Sequence, residues 1–254
     1  MRFASLGSGS EGNALVVEVG RTRLMLDCGF GLAESVYRLE RLGLRPEDIT
    51  AILITHEHSD HIGGAARFAR KYRTPIWLTH GTLPWLANDV RSELLHDIDS
   101  HSEFFIQDIK VQPFPVPHDA CEPVQFVFSD GACRVAVLTD LGSSTPHVEA
   151  CLSGTDALVL ECNHDLSLLM GGPYPASLKQ RVAGRFGHLD NQSAADLLGR
   201  IDCSRLKHVL AAHLSHHNNR PDLAQAALAG VLDCAKRWIG ISHQTAGFAW
   251  RDVA

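Results

Sequence analysis

Three imidazoles and two carboxylates fall within one short stretch, Thr55-His56-Glu57-His58-Ser59-Asp60-His61. The apolar, β-branched run Thr50-Ala51-Ile52-Leu53-Ile54 precedes it and reads as a buried strand. Ile62-Gly63-Gly64-Ala65-Ala66-Arg67-Phe68 follows and reads as the start of a helix. The donors therefore sit on a turn at the C-terminal end of a strand, the edge at which α/β proteins bind ligands. Alternate side chains of an extended backbone share a face, so His56 and His58 can bind one ion. A helix would set them about 200° apart. Asp60 and His61, further along the turn, can reach a second site a few ångströms away. A solvated charged turn is the plain alternative, but three His and an Asp at this spacing, directly after a buried strand, are a metal-ligand pattern.

One turn cannot close a metal site. Three more donors stand at strand ends: His118 after a Pro-rich strand, Asp140 after Leu138-Thr139, and His213 after Ala211-Ala212. Each alone could be a cap or turn residue. Together they recur where a binuclear centre would need them, and an Asp between two ions about 3.5–4 Å apart can bridge them, as in two-metal hydrolases.

The elements that must carry these residues alternate hairpins with helices, and the pattern occurs twice. A small-residue loop, Gly7-Ser8-Gly9-Ser10-Glu11-Gly12-Asn13, follows the first strand and could aim N–H groups and hydroxyls at an anion. Residues 32–42 read as a helix, residues 81–98 as an amphipathic helix, and residues 239–250 as a last strand. Pro115 and Pro117 restrict their segment to an edge or loop. Asp190 or Asn191 can cap a helix over residues 193–201. No Pro/Ser-rich linker divides the halves. The expectation is one domain over residues 1–254, an α/β (α+β) chain folded as a four-layer αββα sandwich.

Composition narrows the setting. The net charge of −6, from 23 Lys and Arg against 29 Asp and Glu, provides no global basic surface. Seven scattered cysteines without a CxxC pair point to reduced thiols. The N-terminal residues lack an apolar signal core, and no run approaches membrane-spanning length. A cytoplasmic location without membrane partners is expected, with the oligomeric state open. Histidine stands out at 15 residues.

His56-x-His58-x-Asp60-His61 with His118, Asp140 and His213 resembles the metallo-β-lactamase superfamily across essentially the whole chain. That family has the αββα fold. The resemblance implies that His56, His58 and His118 hold one divalent ion, that Asp60, His61 and His213 hold a second, and that Asp140 bridges. It implies a hydroxide on those ions as nucleophile, with Zn²⁺ or Mn²⁺ as the metal. Gly187-His188-Leu189-Asp190-Asn191 is similar to a segment of the tRNA 3′-processing endonucleases. By that match His188 contacts the scissile phosphate or protonates the leaving oxygen, and Glu161 orients it. Leu189-Asp190 departs from the Ser-Thr of those enzymes. Ser8-Gly9-Ser10-x-Gly12-Asn13, residues 55–61, His118-Asp119-Ala120-x-Glu122-Pro123-Val124, Thr139-Asp140-Leu141-Gly142, Glu161-x-Asn163-His164-Asp165 and Ala212-His213-Leu214-Ser215-x-x-Asn218-Asn219 look like the YycJ (WalJ)-type branch, bacterial 5′→3′ DNA exonucleases.

The resemblance thus implies a binuclear phosphodiesterase acting on nucleic acid, DNA more than RNA. His188, Glu161, His164 and Asp60 are its candidate catalytic groups. Ser8, Ser10, Asn13, His188 and Asn218 are candidate substrate contacts. Lys179, Arg181, Arg185 and Arg220 could offset the acidic balance near the site. Alternatives are a tRNase Z-type RNA-processing endonuclease, a small-molecule phosphodiesterase, and a thioester or lactam hydrolase of the same fold. The last would have no use for His188 and Glu161. A binding protein with a vestigial site would not retain divalent ions.

Overall fold

The computed structural model describes residues 1–253. Two seven-stranded mixed sheets pack face to face. The first contains β1 (Arg2–Gly7), β2 (Ala14–Val19), β3 (Thr22–Leu26), β4 (Ala51–Leu53), β5 (Ile76–Thr79) and β6 (Leu95–Ile98), closed at one edge by β14 (Phe248–Asp252). The second contains β7 (Phe104–Ile106), β8 (Ile109–Pro115), β9 (Val124–Ser129), β10 (Arg134–Leu138), β11 (Ala157–Glu161), β12 (His208–Ala212) and β13 (Gly240–Ile241). In each sheet antiparallel hairpins lead into parallel strands: β3 pairs in parallel with β4, β4 with β5, β10 with β11, and β11 with β12.

Alternation along the strands divides the apolar side chains among three cores. Phe3, Val17, Leu26 and Leu53 of the first sheet meet Phe126, Phe128, Val137 and Leu210 of the second between the sheets. Helices α1 (Leu32–Arg41) and α3 (Ala65–Tyr72) cover the outside of the first sheet through Leu39, Phe68 and Ala69. Helices α4 (Pro146–Leu152), α7 (Asn191–Arg200) and α8 (Pro221–Leu232) cover the second through Val148, Leu197, Leu198 and Leu228. The remaining helices are short: α2 (Ser59–Ile62), α5 (Leu166–Gly171) and α6 (Ala176–Val182). This is the expected αββα sandwich. No helix among the described residues is long and apolar enough to cross a membrane.

Two segments depart from the sequence expectation. Residues 81–98 form no long helix; they hold two 3-10 turns and then β6. Leu86, Val90 and Leu94 do recur at helix-like spacing and are buried, but Pro84 removes a backbone donor and residues 95–98 pair in parallel with β5. The expected last strand over residues 239–250 is split. Gly240–Ile241 borders the second sheet, and Phe248–Asp252 borders the first, with the chain crossing between them through Gly247 at φ 57°. The proline expectation holds. β8 pairs with β7 only as far as Val111, so Pro115 lies where that side of the strand is free, and Pro117 lies in the loop beyond the end of β8.

Candidate metal centre

The C-terminal ends of β3, β4, β8, β10, β11 and β12 converge on one rim of the sandwich. From them come Asp27, residues 55–61, His118, Asp140, Glu161 and His213. Three of these residues adopt left-handed backbone: Asp27 at φ 59°, Asp140 at 58° and His213 at 54°. Each is the first or second residue beyond its strand. A non-glycine residue in that region is strained, and strain of this kind gathers at functional sites.

Donor atoms collect in overlapping groups within 4.8 Å: His56, His58 and His118; Asp60, His61 and His213; His56, His61 and Asp140; and Asp140, Glu161, His188 and His213. Asp140 shares a group with residues of both triads. Its Oδ2 lies 2.8 Å from His61 Nε2, and its Oδ1 lies 3.2 Å from His188 Nδ1.

Outer partners decide which ring nitrogen each histidine turns inward. Asp27 Oδ2 accepts from His61 Nδ1 at 2.7 Å, which leaves His61 Nε2 facing the centre. Asp27 is itself held by the Thr55 N–H at 2.9 Å and the Thr55 hydroxyl at 3.1 Å. His56 Nδ1 donates to Thr55 Oγ1 at 2.9 Å, and His118 Nδ1 donates to Gly187 O at 3.0 Å. His58 Nε2 meets Asp119 O at 3.2 Å, so its Nδ1 points inward.

This donor set fits a divalent cation. His56 Nε2 is buried without any hydrogen-bond partner. With their outer nitrogens occupied as donors, His58 Nδ1 and His118 Nε2 are two bare lone pairs 3.3 Å apart. Corners of a tetrahedron around a cation with about 2.0–2.1 Å metal–nitrogen bonds are separated by roughly that distance. Asp60 Oδ2 stands 3.3 Å from His61 Nε2 and 3.4 Å from His213 Nε2, a similar spacing in the second group.

The charges separate in the same way. Burial, reinforced by the neighbouring His61, pushes His56 well below the ordinary histidine range, and burial lowers His118. Within the three-histidine group the neutral form is thus favoured at His56 and His118. Burial also opposes charge on His61, His188 and His213, but adjacent carboxylates prevail. Asp140, Asp27 and Asp60 hold His61 well above its usual value. Glu161 and Asp140 do the same for His188. Asp140, Asp60 and Glu161 raise His213 to about 9. Asp140 in turn stays well below the usual carboxylate range, since the cations at His213 and His61 outweigh its burial.

Glu161 is fully buried and uses both oxygens. Oε1 accepts from His188 Nδ1 at 2.8 Å and contacts His213 Nδ1 at 3.2 Å. Oε2 accepts from the N–H groups of Leu141, at 2.8 Å, and Leu189, at 3.1 Å. It therefore fixes His188 and His213 and the backbone beside Asp140.

Other expected site residues take different places. His164 lies outside all four donor groups; it is buried, and its backbone joins the His188 segment to the end of β11 through the Asn191 N–H at 2.9 Å. The sequence expectation of an anion nest over residues 7–13 meets a loop in which every amide but that of Ser10 is engaged within the protein. Gly9 N–H bonds Asn13 Oδ1, Glu11 N–H bonds Gln244 Oε1, and Asn13 N–H bonds Asp60 O. Ser8 and Asn13 brace the centre instead: Ser8 Oγ accepts from His213 N–H at 2.9 Å, and Asn13 Nδ2 donates to Asp60 Oδ2 at 3.2 Å. Ser10 is exposed on the rim, and Asn218 is buried with its amide nitrogen on Ser215 Oγ. Of the basic residues expected to offset the acidic balance, Arg181 is paired with Asp119 at 2.6 Å and Arg220 with Asp222 at 3.3 Å, while Lys179 donates to Met170 O.

Asp27 is the site residue that sequence reading missed. A single Asp after a hairpin strand carries no pattern of its own. Its role arises only from its place one residue past β3, whose Leu26 pairs with Leu53 of the histidine-bearing strand. Asp27→Asn keeps a side chain that tolerates left-handed backbone but removes the charge behind His61. It is expected to weaken metal binding roughly 10- to 100-fold, read by competition with a chromogenic chelator.

Residues 22–213 match the family described as a β-lactamase superfamily domain, and the chain belongs to the metallo-β-lactamase superfamily of metal-dependent hydrolases. Within it the chain resembles the YycJ/WalJ branch. It is 34% identical over 241 residues to the exodeoxyribonuclease YycJ of Bacillus anthracis, covering 92% of this chain and 89% of that protein. It is 33% identical over 251 residues to the exodeoxyribonuclease WalJ of Streptococcus pneumoniae, covering 96% and 92%. In fold it is similar to the metallo-β-lactamase fold protein YhfI of Bacillus subtilis, with a TM-score of 0.76 over 99% of both chains at 15% identity.

Proposed function

We propose that this chain is a binuclear phosphodiesterase of nucleic acid, acting on DNA in preference to RNA and from 5′ ends, as one domain spanning residues 1–254 in the cytoplasm. His56, His58 and His118 would hold one ion, Asp60, His61 and His213 the other, with Asp140 between them. Zn²⁺ suits the histidine-rich set, and Mn²⁺ suits the mixed His/Asp set. Such ions supply an activated water and neutralise charge developing on a phosphate.

The observation that carries the reading is His188 on Glu161. The 2.8 Å bond fixes Nδ1, and the neighbouring carboxylates favour the protonated ring. Its Nε2–H is then free to bond a phosphate oxygen or to protonate the departing one. Phosphodiester cleavage needs that proton, because its leaving group is an alkoxide. The names of the 33–34% identical relatives support DNA as the substrate. The seven cysteines, all unpaired, support a reducing compartment.

The test is an assay of end-labelled single- and double-stranded DNA and RNA with Mn²⁺ or Zn²⁺, with Asp60→Ala as the control. Release of mononucleotides from DNA 5′ ends by the wild-type protein alone is expected. Cleavage of none of the four substrates would sink the proposal. Because a DNA substrate is bound partly through its phosphates, log(kcat/KM) on duplex DNA should fall linearly with log[salt]. A salt-independent rate on a long duplex would argue for a small phosphodiester instead.

A further inference from the structure

A groove of about 540 Å³ is lined by Leu214 and Ser215, the two residues that follow His213. That volume is in the range of small-molecule sites. Its walls are the loop after β1, the segment after β12, the turn after β13, and Tyr174 between α5 and α6. Ser8 lines it and also accepts from the His213 N–H, so the groove begins directly behind a residue of the donor cluster.

The lining has a distinct chemical character. Among its described residues there is no Lys or Arg, and Glu11 is the only carboxylate. Four serines line it, of which Ser8, Ser215 and Ser242 are buried, together with the rings of Tyr174, His216, His217 and His243. Tyr174 is half-buried, with its ring 6.3 Å from that of His217, and the exposed His216 ring lies 5.1 Å from His217. Without Lys or Arg, and with Glu11 in its wall, the slot offers a second phosphate no permanent positive charge. Flat rings beside hydroxyls suit a nucleobase and its sugar, since every base offers a π-face and polar edges.

We infer that this groove is a nucleoside subsite, in which Tyr174 stacks on the base of the nucleotide whose phosphate lies at the metal centre, and His217, its ring at 68° to that of Tyr174, meets the edge of the base. The inference rests on the nucleic-acid reading above and adds to it a place for the base. Stacking tolerates any base, so the subsite would give affinity without sequence preference.

The test is calorimetric titration of the Mn²⁺-loaded protein with deoxyadenosine monophosphate and, separately, with inorganic phosphate. The wild-type protein should bind the nucleotide more tightly. Tyr174→Ala and His217→Ala should each lower nucleotide affinity roughly 5- to 100-fold and leave phosphate affinity within about twofold. Tyr174→Phe should retain the wild-type preference, which separates stacking from loss of fold. Equal affinity of the wild-type protein for the two ligands would overturn the inference, as would unchanged nucleotide affinity in both alanine variants. The cleavage assay fails or succeeds independently. A protein that prefers the nucleotide yet cuts no nucleic acid defeats the nuclease reading while keeping the subsite.

Discussion

On the two-ion reading proposed above, Asp140→Asn should reduce phosphodiester hydrolysis by on the order of 10³-fold or more and lower the divalent metal content per chain from two to about one. The rate estimate follows from the several kcal/mol that metal ions contribute to charge stabilisation, at about 1.4 kcal/mol per tenfold. Asparagine is nearly isosteric and tolerates the left-handed backbone at φ 58°, so the strained turn survives. Its loss is electrostatic. Asp140 Oδ2 faces His61 Nε2 at 2.8 Å, and Oδ1 faces His188 at 3.2 Å and His213 at 3.4 Å. An amide in its place cannot join two cation sites with one negative charge, and whichever way it turns, an NH₂ group faces an imidazole. Metal analysis of the purified variant measures occupancy, and circular dichroism checks the fold. A variant that keeps two ions and activity within tenfold of wild type would remove Asp140 from the bridging position.

The chemistry was most legible where it was most local. His56, His58, Asp60 and His61 share one turn, so their spacing alone implies shared ions, and the buried strand before them implies a rim. His118, Asp140 and His213 were legible as polar residues at strand ends. What the chain could not display is what arises only when strands meet. Asp27 matters because β3 lies next to β4 and delivers a carboxylate to His61 Nδ1. The left-handed backbone of Asp27, Asp140 and His213 has no glycine to announce it. The loop over residues 7–13 looks like an anion nest because small residues permit one; in the structure most of its N–H donors are used internally, among them those bonded to Asn13, Asp60 and Gln244. Residues 81–98 show the opposite error. Leu86, Val90 and Leu94 imitate a helical stripe, yet isolated turns bury the same side chains while leaving residues 95–98 free to extend the first sheet.

His188→Ala should lower kcat roughly 10²- to 10⁴-fold, the usual contribution of a positioned proton donor, while the metal content stays at its wild-type value. His188 belongs to the Asp140, Glu161 and His213 group but not to either triad, and its side chain keeps 21% exposure where a substrate could reach it. Separating metal content from rate is therefore the critical comparison. Loss of ions in His188→Ala would make the ring a ligand, and unchanged kcat would favour a lactam or thioester substrate. Glu161→Gln tests how the ring is held. Gln keeps one oxygen for the Leu141 and Leu189 amides but loses the charge that favours the His188 imidazolium. If Glu161 acts through His188, adding Glu161→Gln to His188→Ala should cost little more than His188→Ala alone, a non-additive cycle. Additive losses would instead mean that Glu161 acts chiefly on His213, whose Nδ1 lies 3.2 Å from the same oxygen.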